Sequence, residues 1–478
     1  MLFNSVEFFV FFVIVFTVHW AVGRSARLQN MVLLAASLFF YGWADLRFMG
    51  LLLLSAAMNL AIGVGLVGKS SERFKSLLFW TGIAVNLGIL VLFKYFNFFY
   101  AGFIDLAQAL GSGMTFDPLA LILPLGVSFF TFQTVGYLID VRNEEIEPSR
   151  DPLAFFTYIF FFPKMLAGPI ERAQKFLPQL DTARVFDRAD AMDGCRRILW
   201  GLFAKVVVAD NCGRIVNPIF NHDTEMSGTA LLLGALLYLV QLYADFSGYS
   251  NIALGTARLL GIRLMRNFAM PLFATNIADF WRRWHISLSS WMMDYLYTPL
   301  SFILRDRGRA GGVLAIFITF FTVGIWHGAN WTFVLFGVLQ GLYFIPLALA
   351  GPGIQRGSAD PGSSASALLR TAGMFLLMGI TFVLLRADSI DQTMRIWSRI
   401  FSPSLFTGWG YSLKEPEMVF LVTALFGLIE WLGRKDDFAL ASIGLAWPRP
   451  VRWGVYWALG MSVFLLSFRP KDFIYFQF

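Results

Sequence analysis

The stretch Gly-Ile-Trp-His-Gly-Ala-Asn-Trp, residues 324–331, stands between two long apolar runs, and its reading decides what kind of fold the chain can have. Residues 311–350 around it contain no Asp, Glu, Lys or Arg. As a single helix those residues would reach about 60 Å, twice the ~30 Å hydrocarbon core of a bilayer, so the chain must turn within the run. Gly328-Ala329-Asn330 is the expected break. Two settings fit it. A turn at the outer surface would make Trp326, His327 and Trp331 part of an aromatic belt. A turn at depth is tolerated only against protein or a water-filled cavity, and an ionisable residue lining such a cavity is a functional candidate.

Working outward, the whole chain has the same character. Of its 478 residues 57% are hydrophobic and only 14% charged, with a mean hydropathy of +0.63; this composition excludes an ordinary soluble domain. Apolar stretches recur at about 6–22, 28–46, 48–68, 76–96, 119–139, 198–217, 229–250, 313–329, 331–350, 368–386, 418–433 and 453–468, each near the ~20 residues that span a membrane. Two more, about 153–170 and 268–304, are broken by proline or charge and read as re-entrant or interfacial. The expected fold is an all-α polytopic membrane protein with roughly 11–13 transmembrane helices.

The net charge of +7 belongs to this topology and not to a nucleic-acid footprint. With the N-terminus outside, alternating spans place roughly 28 of the 38 Lys and Arg on the cytoplasmic side and about 8 on the other. The first apolar segment lacks basic residues before it and a small-residue cleavage pattern after it, so it reads as a retained span. The expectation is one integral-membrane domain over 1–478, with the Gly, Ser and Pro rich run 351–367 as a flexible cytoplasmic linker. Cys195 and Cys212 have neither disulfide-framework nor metal-ligand spacing and read as small buried side chains. No Gly-rich phosphate loop and no repeat is found.

Two polar-rich regions stand out. In "QLYADFSGYSNIALG", 241–255, Asp245 and Tyr249 reach the cytoplasmic end of a span. In "DFWRRWHISLSSWMMDYLYTP", 279–299, a continuous helix would put Trp281, Trp284, Leu288 and Trp291 on one face with His285 beside them, and Arg282 and Arg283 elsewhere. The arginines read either as cytoplasmic anchors or as phosphate contacts for a nucleotide-bearing donor. His327 has the chemistry of a base for a hydroxyl: its reference pKa is about 6.5, and partial burial favours the neutral ring. His285 reads as packing or as a second site residue.

Together, "FFPKMLAGPIER" (161–172), "YADFSGYSNIALG" (243–255), "NIADFWRRWHISLSSWMMDYLYTPL" (276–300), "GIWHGANW" (324–331) and the closing "FIYFQF" (473–478) resemble the membrane-bound O-acyltransferase family, in its bacterial alginate O-acetyltransferase branch. The resemblance runs from the N-terminal "FNSVEFF" to the C-terminus. It implies a helical bundle around a central tunnel, with His327 as the catalytic histidine and His285 as the second recurrent polar position. It implies an acyl, first of all acetyl, transferred from a cytoplasmic thioester donor such as acetyl-CoA to an exported polysaccharide such as alginate, with no bound cofactor. His327 is then the general base and His285 orients or stabilises the oxyanion; Arg282, Arg283, Trp326, Asn330, Asp245 and Tyr249 are substrate-binding candidates. Asp245 has a bland reading too, as a charge paired with a nearby base. The setting implied is a bacterial inner membrane, with membrane lipids around the chain and a periplasmic polysaccharide-modification protein as partner. A flippase for a lipid-linked sugar is the competing class, but it normally shows repeat symmetry and paired intramembrane charges, which the sequence lacks. Cellulose or peptidoglycan stand beside alginate as acceptors.

Overall fold

The computed structural model describes residues 1–68, 70–350, 364–408, 416–467 and 473–474. Among them helices are the only regular element, and they occupy all twelve apolar stretches in whole or in part. Six are long and apolar enough to cross a membrane: Met49–Val67, Glu72–Ala109, Gly228–Leu259, Arg305–His327, Trp331–Leu349 and Ala365–Arg386. The protein is a multi-pass membrane protein. Residues 351–363 of the expected linker lie outside the described residues; Ser364 caps the helix Ala365–Arg386, so 365–367 are its first turn.

The chain gathers into two compact units, Met1–Ala191 with Ala257–Leu264, and Met192–Thr256 with Met265–Phe478. In the first, Ser5, Ser25 and Ser71 open helices by accepting the N–H of Phe8, Leu28 and Phe74. Its spans are joined inside by polar side chains: Asn59 and Asn86 exchange amide hydrogen bonds at 3.1 and 2.8 Å, and Thr134 Oγ1 donates to Asn86 Oδ1 at 2.9 Å. In an apolar surround such bonds fix which helix faces meet. The stretch 119–139 becomes helical only from Val127, because Pro118 and Pro124 lack N–H donors and hold their predecessors extended. The segment expected to be re-entrant or interfacial is two short helices, Pro152–Phe160 and Phe162–Met165, most of whose side chains are buried in the protein. Lys164 there is fully buried, its Nζ 4.5 Å from the Tyr158 ring centre and against Gln133 Oε1.

In the second unit the charge-free run forms the predicted hairpin. Gly308–His327 and Trp331–Ala350 pack along each other through Gly324 and Gly337, which face one another. A Cβ on Gly324 would lie 2.4 Å from Phe333 O, and one on Gly337 2.4 Å from Phe320 O. Only glycine permits this approach, the small-residue packing of membrane helices. Region 279–299 corrects the sequence reading of a continuous helix. It is not one helix but Ile277–Arg283 and Ile286–Met292, parted at Trp284 and His285, with Thr298–Ile303 beyond. Cys195 is exposed, against expectation, while Cys212 is buried.

Candidate active site

His327 is the last residue of its helix. The chain leaves through Gly328, extended at φ −169°, and re-enters helix at Trp331. Asn330 shapes the turn: its Oδ1 accepts the Thr332 N–H at 3.1 Å, and its Nδ2 donates to Asp388 O at 3.0 Å. The aromatic-belt setting is thereby overturned for two of its three members. Trp326 and His327 point into the protein, 3% and 6% exposed, and only Trp331 is exposed, at 59%.

His285 is fully buried and has a left-handed backbone, φ 44°, ψ 55°. Non-glycine residues seldom adopt this, and such strain persists where surrounding contacts impose it. Here the imposing groups are visible. Ile286 N–H donates to Asn267 O at 2.8 Å, Ser287 Oγ donates to Asn267 Oδ1, and Asn267 Nδ2 donates to Ser250 Oγ at 3.2 Å. The ring itself caps the following helix, its Nδ1 accepting the Leu288 N–H at 3.2 Å. Since Nδ1 is the acceptor, the neutral ring carries its proton on Nε2.

The two histidines line one narrow pocket with Leu242, Phe246, Trp284, Phe336 and Leu385. Aromatic edges hold both rings: Phe246 lies 4.7 Å and Trp326 5.8 Å from His285, and Phe336 6.0 Å from His327. A pocket with apolar walls and two convergent imidazoles excludes bulk water while leaving one donor and one potential base facing the same space.

The remaining candidates are placed as follows. Arg283 Nε binds Asp279 Oδ1 at 2.9 Å, and Asp279 Oδ2 accepts the Thr275 N–H at 3.1 Å, so this arginine secures its own helix. Arg282 is exposed. Asp245 pairs with Lys205 at 2.6 Å, which also binds Asp210 at 2.9 Å, and Asp245 Oδ2 accepts the Ile474 N–H at 2.9 Å. Tyr249 packs 4.7 Å from the Phe473 ring. Neither Asp245 nor Tyr249 lines the histidine pocket. Trp281, Trp284, Leu288 and Trp291 are all buried, as their spacing suggests, but across a break. The sequence reading missed Asn267, Phe246, Phe336 and Leu385; Phe336 sits on the helix that begins within the His327 motif, while the other three come from elements outside both histidine motifs. Phe246 carried a signal by lying in the polar-rich stretch 241–255, whereas Asn267 follows Arg266 with nothing to set it apart. Among the described residues no three His, Cys, Asp or Glu side chains gather as metal ligands.

Residues 130–358 match the family described as MBOAT, membrane-bound O-acyltransferase family. The chain is 31% identical to a probable alginate O-acetylase, AlgI, of Pseudomonas putida, over 99% of each chain. It is 33% identical to a peptidoglycan O-acetyltransferase of Helicobacter pylori, over 67% of this chain and 65% of that one. A teichoic acid D-alanyltransferase of Bacillus subtilis is 29% identical over 47% of this chain and 59% of its own.

Proposed function

The chain belongs to the membrane-bound O-acyltransferase family, and on that premise we propose that it moves an acetyl group from a cytoplasmic thioester to a hydroxyl of an exported polysaccharide. The observation that carries the reading is the shared pocket of His285 and His327. His327 takes the proton of the acceptor hydroxyl as its oxygen attacks the thioester carbonyl carbon. The carbonyl oxygen gains charge and is held by the Nε2–H of His285, whose tautomer the Leu288 N–H fixes. The C–S bond then breaks, the ester is released, and the proton passes from His327 to the leaving thiolate. Nothing is oxidised, and the proton count closes.

Acetyl-CoA is the donor of first choice, since a soluble thioester needs no further carrier. Alginate is the acceptor of first choice, because relatives that align over nearly the whole chain carry the name alginate O-acetylase, and peptidoglycan follows from the Helicobacter pylori relative. An exported polymer implies a bacterial inner membrane and a periplasmic polysaccharide-modification protein as partner. Trp326 shapes the pocket as the edge partner of His285. Asn330, Asp245, Tyr249 and Arg283 serve as positioning residues, their polar or ring contacts being with the turn, the Phe473–Ile474 segment and the helix start. Arg282 is exposed at the surface.

The test is ester-linked acetate on exported polysaccharide from cells carrying His327→Ala, with membrane levels of the protein checked in parallel. The expected loss is about 10²–10⁴-fold, the range for a general base. Retained acetate at normal protein level sinks the mechanism.

A further inference from the structure

A second pocket in the same unit is polar where the histidine pocket is apolar. Arg197, Ser250, Asn251, Arg266, Asn267 and Asp437 are among its lining residues. Arg197 is 94% buried by its 6% exposure, yet its Nε has no hydrogen-bond partner among the described residues. The Phe438 ring lies 4.5 Å from its Cζ, and the charge of Asp437 acts on it from nearby. Arg266 reaches Asp437 only at 3.5 Å, and both of those side chains are largely exposed. Glu430 also faces the space, but its carboxylate accepts the Tyr243 hydroxyl at 2.5 Å.

A buried guanidinium without hydrogen bonds is costly, and the planar fork of arginine matches phosphate oxygens in pairs. Asn251 and Ser250 add neutral groups on the same wall. The position also matters. Phe268 and Tyr243 of this pocket meet Trp284 of the histidine pocket at 5.2 and 6.2 Å, and Phe268 meets Phe246 at 5.0 Å, so one aromatic layer parts the two spaces. On the topology read from the sequence, Arg197, Asn251, Arg266 and Asp437 all lie at the cytoplasmic side.

We propose that Arg197, assisted by Arg266, binds the phosphate of the thioester donor, with the polar pocket as the seat of its charged end, one aromatic layer away from the histidine pocket. The site rests on the acyl-transfer reading above, and moves the phosphate contact from Arg282 and Arg283 to residues that the sequence did not single out.

A phosphate could instead belong to an anionic lipid, so the test separates the two. The full chain is placed in nanodiscs of phosphatidylcholine, with tritiated coenzyme A as probe and pyrophosphate or phosphate-free pantetheine as competitors. Wild-type protein should bind the probe saturably, and pyrophosphate should compete. Arg197→Ala should weaken binding at least about tenfold and Arg266→Ala less, with Arg197→Lys between them because it keeps charge and loses the fork. If Arg197→Ala fails to fold, by gel filtration, Arg197→Lys and Arg266→Ala carry the comparison. Unchanged binding in the arginine variants, no saturable binding by wild type, or displacement of the probe when phosphatidylglycerol is added overturns the proposal, the last by assigning the site to lipid. His327→Ala should bind the probe normally. Loss of acetate in that variant with arginine variants unaffected sinks this site alone; retained acetate with lost binding in Arg197→Ala sinks the histidine mechanism alone.

Discussion

At position 285 the backbone is left-handed and the ring caps the helix that follows. Asparagine tolerates that backbone and caps helices well, whereas alanine does neither. His285→Asn should therefore unfold near the wild-type temperature in detergent, while His285→Ala loses about 1–2 kcal/mol from the cap and the backbone. Both should lower acetyl transfer by about 10²–10³-fold, because the Nε2–H donor is gone from each. Wild-type activity in His285→Asn would reduce the histidine to a cap. Neither the strain nor the tautomer was legible in the sequence, since a histidine between two tryptophans does not announce a helix break; the break depends on Asn267, eighteen residues upstream by number alone.

Among elements, the hairpin was the most legible. Its break followed from charge-free length alone, and the turn falls where glycine and asparagine stand. The depth of His327 was not legible, because it depends on how closely the two helices approach, and that is set by Gly324 and Gly337. Gly324→Ala should push the hairpin apart, cost about 1–3 kcal/mol and lower transfer per folded molecule as His327 shifts. Thermal unfolding and transfer measured on one preparation check both; unchanged values in both would mean that the helices do not need this approach. The region after Pro271 was misread as one helix because the spacing of its apolar residues survives the break.

At the scale of the whole molecule, buried charge and sidedness give two further tests. Lys205 stands between Asp210 and the fully buried Asp245, so Lys205→Ala strands a carboxylate and should cost about 3–5 kcal/mol, with Asp245→Asn in the same chain recovering part of it. Equal stability of the single and double variants would remove that coupling. Sidedness can be read from the native cysteines. Exposed Cys195 lies in a segment read as cytoplasmic, and buried Cys212 lies inside. A membrane-impermeant maleimide should label Cys195 in inside-out vesicles and leave right-side-out vesicles unlabelled. Partial burial raises the Cys195 thiol above its ordinary value. The thiolate is then scarce at pH 7, and labelling should quicken about tenfold for each unit that the pH rises while it stays below that value. Labelling of right-side-out vesicles would invert the topology. The span count was legible in outline, because apolar length needs no partner to be seen; the two units were not, because they depend on contacts far apart in sequence.

The walls around the two imidazoles also act as a ruler. Phe336 and Leu385 share the lining of the narrow pocket with Phe246 and Trp284, so these apolar side chains bound the space beside the reacting carbonyl. Each methylene that such a wall refuses is worth roughly 10–200-fold in selectivity. On the acyl-transfer reading, the size of the group delivered to the polymer is set by side chains that take no part in the bond-making. Trimming Phe336 to alanine should let propionyl and butyryl thioesters gain on acetyl, turning the enzyme's tolerance for chain length into a property of one ring.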